Sequence, residues 1–173
     1  MDAPAIETER LRLRSHRADD LQACAAMWAE EGVTRFIGGR PLTEEETWAR
    51  MLRHAGHWGL LGFGYWVVEE KATGQFLGEA GLAEWRRAIE PSIAGRREAG
   101  WVFAAESRGK GYAAEAMRAV LAWGEQRFGD ARSVCLIAPG NAASLNLASR
   151  LGYVEERRSI FHGEETVVLG RSG

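Results

Sequence analysis

Cysteine is scarce in this 173-residue chain: Cys24 and Cys135 stand far apart and lack metal-ligand spacing. Two isolated thiols do not make a disulfide framework, which points to a reducing compartment. Histidine is sparse too. His16, His54, His57 and His162 show no zinc spacing, so no metal is expected, and surface or substrate-facing roles are assigned to all four. An excess of one charge is also missing: the formal net charge is −2, whereas a general nucleic-acid binder is strongly basic. That excludes nucleic acid and leaves small molecules and protein termini as partners. Long apolar runs are absent. Trp58 to Val68 is the longest, but glycines break it and it is too short to span a bilayer. Met1 to Arg14 carries charges where a signal peptide would be apolar. The expectation is no membrane partner and a cytoplasmic location. With no repeat, low-complexity tract or linker, residues 1–173 read as one domain.

What is present suits a packed globule, with 46% hydrophobic and 27% charged residues. Arg10 to Arg14 alternates strictly and reads as a half-buried strand. Helical spacing follows over Asp19 to Glu31. Thr43 and Glu46 form a capping-box pattern ahead of a helix with Trp48, Met51 and Leu52 on its apolar side. Gly64 to Glu70 and Gln75 to Leu82 read as strands joined by a turn at Ala72-Thr73-Gly74. Glu98 to Ala104 is a further strand. The clearest helix is Gly111 to Phe128, ended by Gly129, with Met117, Val120, Leu121 and Gly124 on one face. A strand at Ser133 to Ala138, a helix at Asn141 to Leu151, and strands at Tyr153 to Ile160 and Glu165 to Leu169 complete the order. Such a mixture calls for α/β or α+β layers around one central sheet. Trp48, Trp66, Trp101 and Trp123 fall in periodic segments and are assigned to the core.

The most specific segment is Arg108-Gly109-Lys110-Gly111-Tyr112-Ala113, between a strand and that best helix. Glycines let backbone N–H groups converge, and a helix start adds unpaired donors and a positive dipole end. Together these suit a phosphate. Gly109, Gly111 and Ala114 satisfy a dinucleotide fingerprint, but the unit comes late and Ser133 to Ala138 ends without the ribose-binding carboxylate. A Walker loop requires Ser or Thr after Gly-Lys, and Gly111 stands there instead.

A third pattern fits better. Arg108-x-x-Gly111-x-Ala113 resembles the pyrophosphate loop of the GNAT acetyltransferases, and Tyr112 to Ala116 resembles that family's helix opening. Asn141-x-x-Ser144 followed by Leu151-Gly152-Tyr153 is similar to its Asn-x-x-Ser…Leu-Gly-Phe signature. Thr8 to Arg14 resembles the first strand of the branch that acetylates ribosomal-protein N-termini. The resemblance implies a mostly antiparallel central sheet with helices on both faces, splayed where CoA binds. It implies that the pantetheine arm pairs with Trp101, Val102 and Phe103. The pyrophosphate would sit on Arg108, Gly109, Lys110, Gly111, Tyr112 and Ala113, with Asn141 touching the arm as well as capping its helix. Acetyl-CoA is then the cosubstrate, a peptide N-terminus or small-molecule amine the acceptor, and a homodimer is open.

An amine attacks a thioester only when neutral, so a base must collect a proton, and the departing thiolate is helped by an acid. Glu98 matches a carboxylate that some family members use as base or to hold the amine. The usual tyrosine acid is replaced by Ala148, and Ser144 matches a serine proposed as acid in the ribosomal-protein branch. Cys135 reads as a small core hydrophobe, not an acyl carrier. Glu115 reads as structural, and the solvated face is the default for Arg86 and Arg87. The rival reading is a CoA-binding sensor without turnover.

Overall fold

A computed structural model describes residues 2–172. Its strands are β1 Ile6–Glu7, β2 Leu11–Arg14, β3 Tyr65–Glu70, β4 Phe76–Ala83, β5 Glu98–Phe103, β6 Ser133–Ile137, β7 Val154–Phe161 and β8 Glu164–Arg171. The helices are α1 Leu21–Trp28, α2 Glu31–Thr34, α3 Glu44–Leu61, α4 Tyr112–Phe128 and α5 Ala142–Arg150. One eight-stranded sheet runs in the order β1-β2-β3-β4-β5-β6-β8-β7. Every neighbouring pair is antiparallel except β5 with β6, which is parallel. The expected single mixed sheet with helices on both faces is what the chain forms.

Local chemistry fixes most of these boundaries. In β2, Leu11 and Leu13 are fully buried while Arg14 turns to the other side and pairs with Asp20 and Glu69. The Thr43 hydroxyl accepts the Glu46 N–H, and the Glu46 carboxylate accepts the Thr43 N–H, so the capping box starts α3 as its pattern requires. Gly129, at φ +75°, ends α4 in the left-handed conformation that glycine tolerates.

The main core lies between the sheet and α4 with α5, where Leu82, Ala99, Phe103, Met117, Val120 and Cys135 pack together. Trp58, Trp66 and Trp123 meet edge to face there, with centroids 4.7 to 5.5 Å apart. Such aromatic pairs add about 0.5–1.5 kcal/mol each beyond area burial. On the opposite face a second core joins Cys24, Met27 and Trp28 of α1 to Met51 of α3 and Val102 of β5.

Several expectations change. The helix expected over Asp19 to Glu31 is a short turn at Ala18–Asp20, then α1, then α2. The inner side of α3 is Thr47, Met51, His54 and Trp58, and Trp48 and Leu52 face solvent. That inward set keeps steps of four, three and four, but it is partly polar, so an apolar-only reading rotates the helix by one position. Trp48 is therefore not core, and Trp101 is only half-buried. The two-residue β1 went unassigned in the sequence because so short a strand leaves no period.

Candidate active site

Between β5 and β6 the sheet opens. Their ladder is a single pair, Glu98 with Val134, supported by the Val134 N–H donating to the Arg97 carbonyl at 2.9 Å. Beyond it β6 pairs only with β8, over Ser133 to Ile137. Among the described residues, the edge of β5 from Ala99 onward thus has no strand beside it on that side. Gly100 and Trp101 remain half-buried within a sheet whose other central strands are largely covered. A strand edge left open carries unsatisfied N–H and C=O groups, which an extended ligand can pair with.

The glycine loop follows directly. Gly109 and Gly111 hold φ +75° and +80°, and a Cβ at Gly109 would meet nothing within 4 Å. Gly111 is the N-cap of α4 and offers no side chain, so the first N–H groups of that helix are free of a capping partner. Neighbouring side chains brace the loop. Arg10 donates to the Lys110 carbonyl at 2.9 Å, Arg108 donates to the Gly32 carbonyl at 3.1 Å, and the Tyr112 hydroxyl donates to Glu70 at 2.6 Å. One terminal nitrogen of the exposed Arg108 is thus engaged by Gly32 and the Tyr112 hydroxyl by Glu70, while Lys110 is exposed and can add a point charge.

Glu115 sits in the first turn of α4 and would oppose an anion if it faced the loop. Instead its carboxylate accepts from the Thr8 hydroxyl at 2.6 Å and from Arg10 at 2.7 and 2.9 Å. Burial alone would raise its pKa, but these hydrogen bonds hold it below the usual carboxylate range. It is a structural brace, as its position implied.

The strand's other end is the candidate reaction side. Glu98 is buried, and both its oxygens are taken by Arg87, at 2.9 Å from Nε and 2.6 Å from the terminal nitrogen. Arg87 is thus no solvated arginine. Two residues along, a Cβ on Gly100 would collide with the Tyr65 hydroxyl and lie 3.2 Å from Cζ. Only glycine lets the hydroxyl end of that phenol reach β5. The Tyr65 ring stacks on His54 at 4.7 Å, and His54 stacks on His16 at 4.9 Å.

Behind this stack lies Glu79, an isolated carboxylate in the middle of β4 and almost fully buried. It accepts from the Trp28 indole at 2.9 Å and from His16 Nε2 at 2.7 Å. Burial would push its pKa up, yet the His16 hydrogen bond and nearby positive charge hold it well below the usual carboxylate range. His54 is fully buried, and burial pulls it well below the ordinary imidazole value, so it is neutral. His16, His54 and Glu79 bring ligand atoms within 4.8 Å of one another. The two imidazoles stack with planes 22° apart and centroids 4.9 Å apart, which keeps their in-plane lone pairs in separate, near-parallel planes that suit one shared ion poorly.

Among the remaining expected site residues, Asn141 accepts the Ser144 N–H at 3.2 Å and so caps α5. Ser144 is half-buried in that first turn, and Ala148, where a tyrosine was looked for, is fully buried. Cys135 is buried in the main core, and burial pushes its thiol up, so it is neither thiolate nor accessible. The structure gathers Glu98, Trp101 and the loop at one strand and its two ends. Sequence reading missed Glu79, Tyr65, His54 and Arg50 as a group. A lone Glu within the apolar run Phe76 to Ala83 was the one available signal.

A family model described as an acetyltransferase (GNAT) domain matches residues 10–154. This chain belongs to the GNAT acetyltransferase family. It is 41% identical over 154 residues to the uncharacterized protein YkkB of Bacillus subtilis (strain 168), covering 85% of this chain and 83% of that one. A GNAT-family acetyltransferase structure from Bordetella pertussis, described there as putative, superposes with a TM-score of 0.86 at 34% identity. That match covers 98% of this chain and all of the other. At 16% identity, where only the fold is shared, the solved structures include a ribosomal L7/L12 alpha-N-protein acetyltransferase in complex with coenzyme A. Its TM-score is 0.77, and 98% of each chain is covered. As a GNAT acetyltransferase this chain is an enzyme. Among its described residues no helix is long and apolar enough to cross a membrane.

Proposed function

We propose that the enzyme transfers the acetyl group of acetyl-CoA directly to an amine. The observation that carries this reading is the β5–β6 ladder that stops after one pair, beside an exposed left-handed glycine loop at an uncapped helix start. The pantetheine arm would pair with the free edge at Trp101, Val102 and Phe103. The pyrophosphate would rest on the backbone N–H groups of residues 108–113, near Lys110. The CoA complex of the distant neighbour supports the cosubstrate assignment, as does family membership. The Asn141 amide, whose oxygen caps α5, keeps its NH₂ for the arm.

In the reaction the amine nitrogen forms a bond to the acetyl carbon, the carbon–sulfur bond breaks, and CoA leaves as a thiolate that takes up a proton. The amine must first lose one, because an α-amine has a pKa of about 7.7–8.0 and a lysine about 10.4. Glu98 lies at the start of the same strand, but Arg87 occupies both its oxygens. It can collect the proton once an incoming amine or water replaces one of those bonds. No tyrosine stands at position 148, and a thiol with a pKa of about 8.5 leaves tolerably with only the Ser144 hydroxyl beside it. Cys135 plays no covalent part. Two isolated buried thiols agree with a cytoplasmic enzyme, acting on a peptide N-terminus or a small amine.

The occupied Glu98 and the missing tyrosine are also what a CoA-binding sensor would show. Incubation with acetyl-CoA and a panel of amines, reading free thiol and acceptor mass, separates the two. Thiol release matched by acetylated acceptor supports the enzyme. CoA binding without thiol release across peptide and small-molecule amines supports the sensor.

A further inference from the structure

Tyr65 starts β3, yet its side chain ends two strands away. Tyr65 pairs with Gly81 of β4, and Gly81 pairs with Gly100 of β5, so the three residues form one row across the sheet. Residues in such a row share a face, and the two glycines leave that face bare beside the tyrosine. A Cβ at Gly81 would lie 2.8 Å from the Tyr65 Cδ2, and one at Gly100 would collide with the hydroxyl. The phenol thus lies along the row, with its hydroxyl over Gly100. One step further the row meets no strand among the described residues, because the β5–β6 ladder ends at Glu98. The hydroxyl therefore stands at the border of the gap.

The fold makes no use of that hydroxyl. Of the other tyrosines, Tyr112 donates to Glu70 at 2.6 Å and Tyr153 is hydrogen-bonded to Ser133 at 2.6 Å. The Tyr65 hydroxyl has no hydrogen-bond partner among the described residues, although a buried tyrosine normally finds one. Its ring is buried against His54, but unlike the His54 ring nitrogens the hydroxyl is not sealed from solvent. Glu98, on the same face of β5, has both oxygens engaged by Arg87. Burial and the Glu98 charge push the Tyr65 pKa up, so the phenol keeps its proton and is a standing donor.

What the hydroxyl faces follows from the strand edge. The Arg97 carbonyl turns to β6, where it accepts from Val134, and the Ala104 N–H turns to β4, where it donates to the Leu77 carbonyl at 3.0 Å. Backbone groups alternate in direction along a strand, so Trp101 and Phe103 turn theirs to the gap. On the acetyl-transfer reading above, on which this inference rests, the pantetheine arm pairs with that edge and Glu98 stands at the strand's start. The thioester then falls between them, beside Gly100. We infer that the Tyr65 hydroxyl donates a hydrogen bond to the thioester carbonyl oxygen, which makes Tyr65 a catalytic residue. As the amine nitrogen bonds to the carbonyl carbon, the C=O electron pair moves onto that oxygen. The phenol meets the growing negative charge and keeps its own proton. When the carbonyl re-forms, the carbon–sulfur bond breaks and CoA leaves as a thiolate. The hydrogen bond is strongest where the charge is greatest, so it lowers the barrier.

Tyr65→Phe is the test, because it deletes one atom that the fold does not bond. Its urea midpoint and its calorimetric affinity for CoA should match the wild type; a merely structural role would move them. With acetyl-CoA and an accepted amine, kcat and kcat/KM should fall together by about 10²–10³-fold, the loss typical of one oxyanion donor. A second measurement needs no acceptor. The infrared band of acetyl-CoA isotope-labelled at its carbonyl carbon should move to lower frequency on binding the wild type, and much of that shift should vanish in Tyr65→Phe. Turnover in the variant within about three-fold of the wild type would overturn the assignment and leave acetyl transfer intact. An equal carbonyl shift in both proteins would do the same. A wild type that binds acetyl-CoA but acetylates no amine would refute the acetyl-transfer reading, and the carbonyl shift alone would then decide whether the hydroxyl touches the thioester. Failure to bind acetyl-CoA would overturn both.

Discussion

Gly100→Ala isolates the contact that joins the buried His16–His54–Tyr65 stack to β5. The new methyl would collide with the Tyr65 hydroxyl and sit 3.2 Å from Cζ. Tyr65 has little room to retreat. Its ring is stacked on His54, and a Cβ at Gly81 would lie only 2.8 Å from its Cδ2, so β4 closes on it too. Overpacking at such a site costs about 1–3 kcal/mol. Tyr65→Phe removes the atom that collides and leaves only the 3.2 Å approach, which a few tenths of an ångström relieve. The double variant should therefore recover at least half the loss, a coupling of about 1 kcal/mol between the two sites. Urea unfolding of the wild type, both single variants and the double variant measures it. Strictly additive changes would refute the contact, and with it the placement of the Tyr65 phenol against β5.

Cys135→Ala should retain substantial turnover, and intact mass after acetyl-CoA alone should show no acetylated enzyme; a stable adduct on Cys135 would end the direct mechanism. Glu98→Gln should lower turnover by about 10²–10⁴-fold with CoA affinity nearly unchanged, and the deficit should shrink at higher pH as the amine loses its proton unaided. Ser144→Ala should cost less; pH–rate profiles of both variants decide, and a far worse Ser144→Ala at every pH reverses the roles. His54 stays neutral in the fold because burial depresses its pKa, so below about 6.5 the unfolded chain binds a proton that the native state refuses. Stability should then fall as pH drops from 7.5 to about 5.5 by up to about 1.4 kcal/mol for one proton over one pH unit, and His54→Asn should flatten that slope in urea midpoints. His16, Glu79, Arg50 and His57 face the same ring, so the comparison with His54→Asn is what isolates its share.

Features written in neighbouring residues were legible in the sequence. The Thr43–Glu46 box, the Met117–Gly124 face of α4, Gly129 as its stop and the Gly109–Gly111 loop all depend on spacing within one or two turns. The gap at β5 was not, because it depends on β6 leaving after one pair to join β8, a pairing between segments far apart in the chain. The resemblance supplied it, and no local pattern could. The buried polar stack was hidden for a different reason. Its helix turns Thr47 and His54 inward, where an amphipathic pattern places apolar residues, so His54 was assigned to the surface or the substrate side. Arg87 was assigned to solvent because its partner Glu98 lies beyond an irregular loop, where spacing carries no information.

Amide hydrogen exchange with and without CoA tests the placement of the cosubstrate most directly. Protection should rise in Gly100 to Phe103 and in Gly109 to Ala113, the free edge of β5 and the start of α4, and should be lost in Gly111→Asp, whose carboxylate would repel the pyrophosphate. Protection confined to other segments, or CoA binding that leaves both of these unchanged, would contradict a cofactor seated in the β5–β6 gap.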